Sequence, residues 1–171
     1  ICKSTRTLYE IHLNRLNFDQ PLSNEGNSVR LPMNLILADF SRSKFKKASL
    51  QSLLELLTSD SEASGLKVNL SFIEPHENTF INAYKGLLQT NCLPSFSEVN
   101  WSGNNLSPDL FKFFATQTHL KYMSLMNLNI QKQGPFFNLF TQVVKKQGIT
   151  GLEIGSDSFD PEFVIPFIES L

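Results

Sequence analysis

Three histidines, His12, His76 and His119, and two cysteines, Cys2 and Cys92, are the residues best suited to metal binding or nucleophilic catalysis. Structural zinc takes Cys and His ligands that arrive in pairs a few residues apart, and these five side chains are scattered singly along the chain. Neither Gly-x-x-x-x-Gly-Lys-Ser/Thr nor Gly-x-Gly-x-x-Gly occurs, and His-Glu-x-x-His and Gly-x-Ser-x-Gly are missing as well. Arg6, Arg15, Arg30 and Arg42 form no motif of the kind an activator of nucleotide hydrolysis uses to stabilise a transition state. The expectation is a chain that is not an enzyme and needs no metal or cofactor.

Other polar groups read as solvated surface. Arg42, Lys44, Lys46 and Lys47 stand where a helix is expected to begin, and four charges attract a lipid surface or an acidic partner only modestly. Lys145 and Lys146 suit the negative end of a helix. The triplets Asn69-Leu70-Ser71, Asn100-Trp101-Ser102 and Asn105-Leu106-Ser107 fit the glycosylation pattern, but two fall on expected strands and all three are read as chance. Fifteen basic residues against sixteen acidic ones give a net charge of −1, which excludes the phosphate-neutralising surplus of a general nucleic-acid binder. Two cysteines are too few for a disulfide scaffold, and no run of 18 apolar residues is present to insert in a membrane. The chain therefore reads as soluble and cytoplasmic, and its start at Ile1 without Met reads as that of an excised fragment.

The elements that must position these side chains come from an internal repeat. In the segment Phe96-Ser-Glu-Val99-Asn-Trp101-Ser-Gly-Asn104-Asn-Leu106 apolar residues occupy positions 1, 4, 6 and 11 and Asn position 9, the leucine-rich-repeat pattern. It recurs as Leu120, Met123, Leu125, Leu128 and Ile130, and again as Ile149, Leu152, Ile154, Asp157 and Phe159. Leu8, Ile11, Leu13, Leu16 and Phe18 make an earlier copy, while Leu35, Leu37, Phe40 and Val68, Leu70, Ile73 match the inner positions only. The six starts, at 8, 32, 65, 96, 120 and 149, average about 28 residues apart, long enough for a helix in every unit.

Helical signals fill the intervals. Leu50, Leu53, Leu54 and Leu57 share one face, as do Phe136, Leu139, Phe140 and Val143, and Phe80, Ala83, Tyr84, Leu87 and Leu88. Ser107 and Asp160 stand as N-caps, each before a proline, Pro108 or Pro161, at the first helical position. Residues 19–30 are polar and predict an irregular segment, and 58–65 a loop. The fold expected is α/β, a leucine-rich-repeat solenoid or horseshoe of about six units, with parallel strands on the concave face and helices on the convex one. Residues 1–171 form a single array, part of a longer one, whose apolar last helix exposes Phe163, Phe167 and Leu171 for self-association.

Positions 3, 5 and 7 of each unit alternate away from the core and form the concave wall. Position 3 gives Glu10, Asn34, Lys67, Glu98, Tyr122 and Gly151; position 5 gives His12, Ile36, Asn69, Asn100, Ser124 and Glu153; position 7 gives Asn14, Ala38, Ser71, Ser102, Met126 and Gly155. Tyr122, Met126, Ile36 and the neighbouring Tyr9 are its apolar anchors, and the protein-binding set is Tyr9, Glu10, His12, Ile36, Lys67, Asn69, Glu98, Asn100, Tyr122, Ser124, Met126 and Glu153. Mixed polarity of this kind suits a protein or peptide better than a polyanion. Asn104 is expected to satisfy backbone groups in its turn, a role Asp157 shares, whereas Leu16, Phe40, Ile73 and Leu128 occupy the equivalent place elsewhere.

These residues resemble the ribonuclease-inhibitor-like class of leucine-rich repeats over nearly the whole chain. Val-Asn-Trp-Ser-Gly-Asn-Asn-Leu-Ser-Pro-Asp-Leu-Phe, residues 99–111, is similar in style to repeats of CARMIL proteins, the large regulators of actin capping. That resemblance implies a scaffold with cytoskeletal protein partners and carries over no binding residue, because the family's capping-protein motif lies in a tail absent from these residues. A recognition array of the innate-immune-receptor or inhibitor type is the alternative on the same architecture.

Overall fold

Val68 and Leu70, Val99 and Trp101, Met123 and Leu125 stand two residues apart around a polar or small residue, the alternation of strands buried on one face. The structure, a computed structural model, describes residues 9–19, 35–46, 48–50, 52–53, 65–73, 96–105, 114, 119–128, 133–155 and 159–171. The strands are β1 (Glu10–His12), β2 (Asn17–Phe18), β3 (Leu37–Asp39), β4 (Lys44–Phe45), β5 (Leu66–Asn69), β6 (Phe96–Asn100), β7 (Tyr122–Met126) and β8 (Gly151–Gly155). A six-stranded parallel sheet runs β1-β3-β5-β6-β7-β8, and β2 pairs with β4 in a separate parallel ladder. Two helices, α1 (Gln133–Gln147) and α2 (Pro161–Ser170), make the described fold mixed α/β.

Register fixes the units. Ile11, Ala38, Val68, Val99, Met123 and Leu152 are successive partners across the sheet. Ala38 therefore holds position 4, and the second unit starts at 35, three residues later than the sequence suggests. Leu35 and Leu37, two apart, imitate positions 4 and 6, while the true position 4 is an alanine with little hydrophobic signal. The buried side chains are Leu35, Ala38, Phe40 and Phe45, at positions 1, 4, 6 and 11. Ala38 thus points inward, fully buried, and Phe40 is at position 6 rather than 9. At position 11, Phe45 stacks on Phe18 with ring centroids 4.7 Å apart, uniting the short β2–β4 ladder.

The inward side chains join one core with residues of the helices. Leu50, Leu53 and Phe114, all in helical backbone, are buried there, and Phe114 meets the Trp101 ring edge-on at 5.8 Å. In α1 the spacing of Phe136, Phe140 and Val143 places one buried stripe against the sheet, with Leu139 partly buried beside it. At α2, Asp160 caps the N-terminus by accepting the Glu162 N–H at 2.9 Å, and Pro161 opens the helix. Phe167 is buried, stacked on Phe140 at 4.8 Å and tilted against Phe137 at 5.5 Å. Burial of such a side chain is worth about 1.5–3 kcal/mol. This corrects the expected exposed set: Phe167 is core and Phe163 is packed partly against it, whereas Ile165, Ile168 and Leu171 face outward. Helical spacing explains the error at Phe167, because 163 and 167, four apart, lie on the face turned to α1 and 165 and 168 on the other, while Leu171 follows the last helical residue.

Each described strand of the sheet up to β7 is followed by a residue of left-handed backbone at position 8: Arg15, Arg42, Phe72, Gly103 and Asn127. Gly103 is required there twice over, since a Cβ would also lie 2.3 Å from the Phe72 ring. One place later the chain has to satisfy backbone groups of the preceding unit. Asn104 does this, accepting the Ile73 N–H at 2.9 Å and donating to the Leu70 and Trp101 carbonyls at 2.7 and 3.0 Å. In the second unit the residue is Ser43, fully buried, which accepts the Leu16 N–H at 3.1 Å and donates to the Leu13 carbonyl at 3.0 Å.

Two further readings are corrected. The basic cluster reaches the helix entrance only at its end: Lys44 lies on β4 and the Arg42 guanidinium sits 5.6 Å above the Phe72 ring, while Lys46, paired with Asp19 at 3.2 Å, accepts the Leu50 N–H at 3.0 Å on its carbonyl where helical backbone begins. The Asn-x-Ser triplets at 69 and 100 have a structural cause, described below. Cys2, Asn34, Lys47, Leu54, Leu57, His76, Cys92, Ser107, Pro108 and Asp157, with segments 20–30, 58–64 and 80–88, lie outside the described residues.

Candidate interaction face

Parallel pairing in register lines up the outward side chains into rows across the sheet. The first row reads Glu10, Leu37, Lys67, Glu98, Tyr122 and Gly151, and the second His12, Asp39, Asn69, Asn100, Ser124 and Glu153. A third, at the strand ends, runs from Asn14 and Ser41 through Ser71 and Ser102 to Met126 and Gly155. The revised register takes Ile36 out of the second row and puts Asp39 in its place. Ile36 precedes β3 and is 46% exposed, its N–H bound to the Tyr9 carbonyl at 2.7 Å.

Strand ends are held by short polar side chains of the second row. Asp39, Asn69 and Asn100 each accept the N–H of the serine two residues on, Ser41, Ser71 and Ser102, at 2.9, 3.1 and 3.0 Å. This side-chain turn starts each reversal and accounts for the repeated Asx-x-Ser triplet. Ser124 is too short for it; the Met126 N–H is taken instead by the hydroxyl of Ser102, in the turn after β6, at 3.1 Å, and the two serine hydroxyls meet at 3.1 Å. Aligning Asp39-Phe40-Ser41 with the two Asn triplets is the signal that finds the true second unit and the missed residues Leu37 and Asp39.

Seven of the sequence-derived residues come together. Lys67, Asn69, Glu98, Asn100, Tyr122, Ser124 and Glu153 line a shallow depression of about 220 Å³, floored by Val68 and Val99 and bounded by Leu37. Lys67 and Glu98 form an ion pair at 2.7 Å within it. Tyr122 donates its phenolic hydrogen to Glu153, which raises the phenol's ionisation above the ordinary range, and the same bond, with a second from Ser124, holds the Glu153 carboxyl low.

Glu10 and His12 lie apart from this depression, on edge strand β1. His12 contacts Glu10 at 3.4 Å and Asp39 at 3.6 Å. Burial pushes the Asp39 carboxyl up, but hydrogen bonds from the Ser41 backbone and side chain, Asn14 and His12 outweigh it and leave the group below its usual range. Met126 borders a different hollow of about 560 Å³ beside β8, with Phe167, Ile168 and Leu171. Tyr9, about half exposed, stands just before β1.

The face offers hydrogen bonds, charge and one aromatic ring, the chemistry of recognition. Among the described residues no three His, Cys, Asp or Glu side chains are grouped to hold a metal, and no helix is long and apolar enough to cross a membrane. Set against models of known families, curated proteins and solved structures, the chain matches none.

Proposed function

We propose that the chain is a non-catalytic protein–protein interaction scaffold, a leucine-rich-repeat solenoid in which the uncovered sheet face is the concave binding wall. The observation that carries this reading is the register: among the described residues each strand of the sheet contributes equivalent residues to one face. Units of this kind bury their apolar faces only against neighbours, and an extended row surface is what such stacking leaves for a partner. Tyr122 and Met126 supply apolar anchors, and the polar rows supply orientation. The likeness of residues 99–111 to CARMIL repeats favours a cytoskeletal partner, in regulation of actin filament capping and assembly.

A pull-down from cytoplasmic extract, read by mass spectrometry, tests the proposal with the Tyr122→Ala, Lys67→Glu double variant as control. Cytoskeletal proteins recovered by the chain and lost by a variant of unchanged circular dichroism support it. Retention by the variant, or nothing captured above background, overturns it. The same reading places self-association on Ile165 and Ile168 of α2 and on Leu171 just after it, all at least half exposed. Light scattering should show a mass that rises with concentration, and Ile168→Lys should abolish the rise.

A further inference from the structure

Tyr122 is the one Phe, Tyr or Trp side chain in the three rows, and it is placed by a glycine. Its ring lies across Gly151 of β8, where an added Cβ would stand 2.5 Å from a ring carbon. Its register partner on β6 is Glu98, and its hydroxyl binds Glu153 on β8, so carboxylates flank the ring on both neighbouring strands. Over the described rows four carboxylates, Glu10, Asp39, Glu98 and Glu153, face one ammonium, Lys67, although the whole chain carries a net charge of only −1. Negative charge is thus concentrated on this side of the sheet. Lys67 also reveals the chemistry of the depression from within, because its ammonium sits on Glu98 at 2.7 Å. Glu153 is the carboxylate there whose partners are neutral hydroxyls, those of Tyr122 and Ser124.

We propose that the depression receives a cationic side chain, an arginine foremost, from an extended segment of the partner protein. This rests on the scaffold reading and names the chemistry of its partner. A guanidinium can lie on the Tyr122 ring and pair with Glu153 at once, which a spherical ammonium does less well. The volume of about 220 Å³ suits one side chain, since pockets for whole small molecules run to about 300–1,000 Å³.

The test is fluorescence anisotropy with a labelled dodecapeptide alternating Arg and Ser, and with the same peptide carrying Lys or the neutral isostere citrulline. At physiological ionic strength the Arg peptide should bind roughly tenfold more tightly than the citrulline one, with Lys between. Glu153→Gln should weaken the Arg peptide about tenfold and Tyr122→Leu about fivefold, while Glu162→Gln on α2, away from the face, leaves it unchanged. Equal binding of the Arg and citrulline peptides overturns the inference, as does an equal loss from Glu162→Gln and Glu153→Gln. Its failure is separable from that of the scaffold reading: captured proteins lost by the Tyr122→Ala, Lys67→Glu variant but kept by Glu153→Gln leave the scaffold standing and remove the cationic contact.

Discussion

The turns after β3 and β6 meet the same demand with different side chains. Leu13 and Leu70 are equivalent positions, as are Leu16 and Ile73, and Phe40 and Trp101. After β6 the Asn104 side chain serves all three backbone groups of its set. After β3 the Ser43 hydroxyl serves two, and the Phe40 carbonyl is met by Ser43's own backbone N–H at 3.3 Å. The shared register thus prescribes which backbone groups must be satisfied at these two turns, and leaves open which polar residue does it. After β7 the corresponding position is Leu128, whose side chain carries no polar atom for the task.

The largest loss is expected from Asn104→Ala. It strips three backbone groups in a buried turn and should lower stability by about 3 kcal/mol in urea unfolding. Ser43→Ala strips two and should cost about 2 kcal/mol; a loss equal to or above that of Asn104→Ala would contradict the account of the two turns. Gly103→Ala tests the backbone just before Asn104. Left-handed backbone in an alanine costs about 1–2 kcal/mol, and the Phe72 ring must move as well. Phe72→Ala in the same chain should remove the second part of that loss and leave the first.

A smaller effect separates Asp39 from Asn69 and Asn100, which make the same side-chain turn. Because the Asp39 carboxyl is held below its ordinary value, its contribution is complete above about pH 4 and fades as pH falls through the lowered value. Asp39→Asn keeps the turn and should flatten the acid limb of stability against pH, by about 0.5 kcal/mol. The least change in stability is expected at Tyr122, where the readout is spectroscopic. Its phenol, favoured in the protonated form, should titrate above the ordinary tyrosine value in tyrosinate absorbance, and Glu153→Gln should return it. The linked contribution is present below about pH 10 and is lost as pH rises through the raised value.

Most of the sheet was legible where large residues mark the inward positions. Val99 and Trp101, Met123 and Leu125, Leu152 and Ile154 give the right strands in the right register. The second unit was displaced because Ala38 carries almost no hydrophobic signal and a serine stands where asparagine was sought. That slip removed Asp39 from the expected face and inserted Ile36, so the concentration of carboxylates was not legible. The depression itself was legible as a set of residues, since β5, β6 and β7 were aligned correctly, but the contact of Tyr122 with Glu153 was not. It depends on Gly151, which reads in sequence as a mere gap in the row. In α2 the cap at Asp160 was plain from Asp-Pro, whereas the buried face was misjudged because all its apolar residues look alike until α1 is in place.

Four of the five left-handed positions are held by residues that bear a Cβ, Arg15, Arg42, Phe72 and Asn127. Each departs from the preferred hand at a cost of order 1 kcal/mol, least for asparagine. The molecule therefore contains a reserve of unused stability at defined sites. Arg15, exposed at its turn, is the one whose exchange for asparagine disturbs least else. Drawing on that reserve would let the outward rows accumulate otherwise destabilising changes, so that the chemistry of this face could be rewritten without loss of the fold.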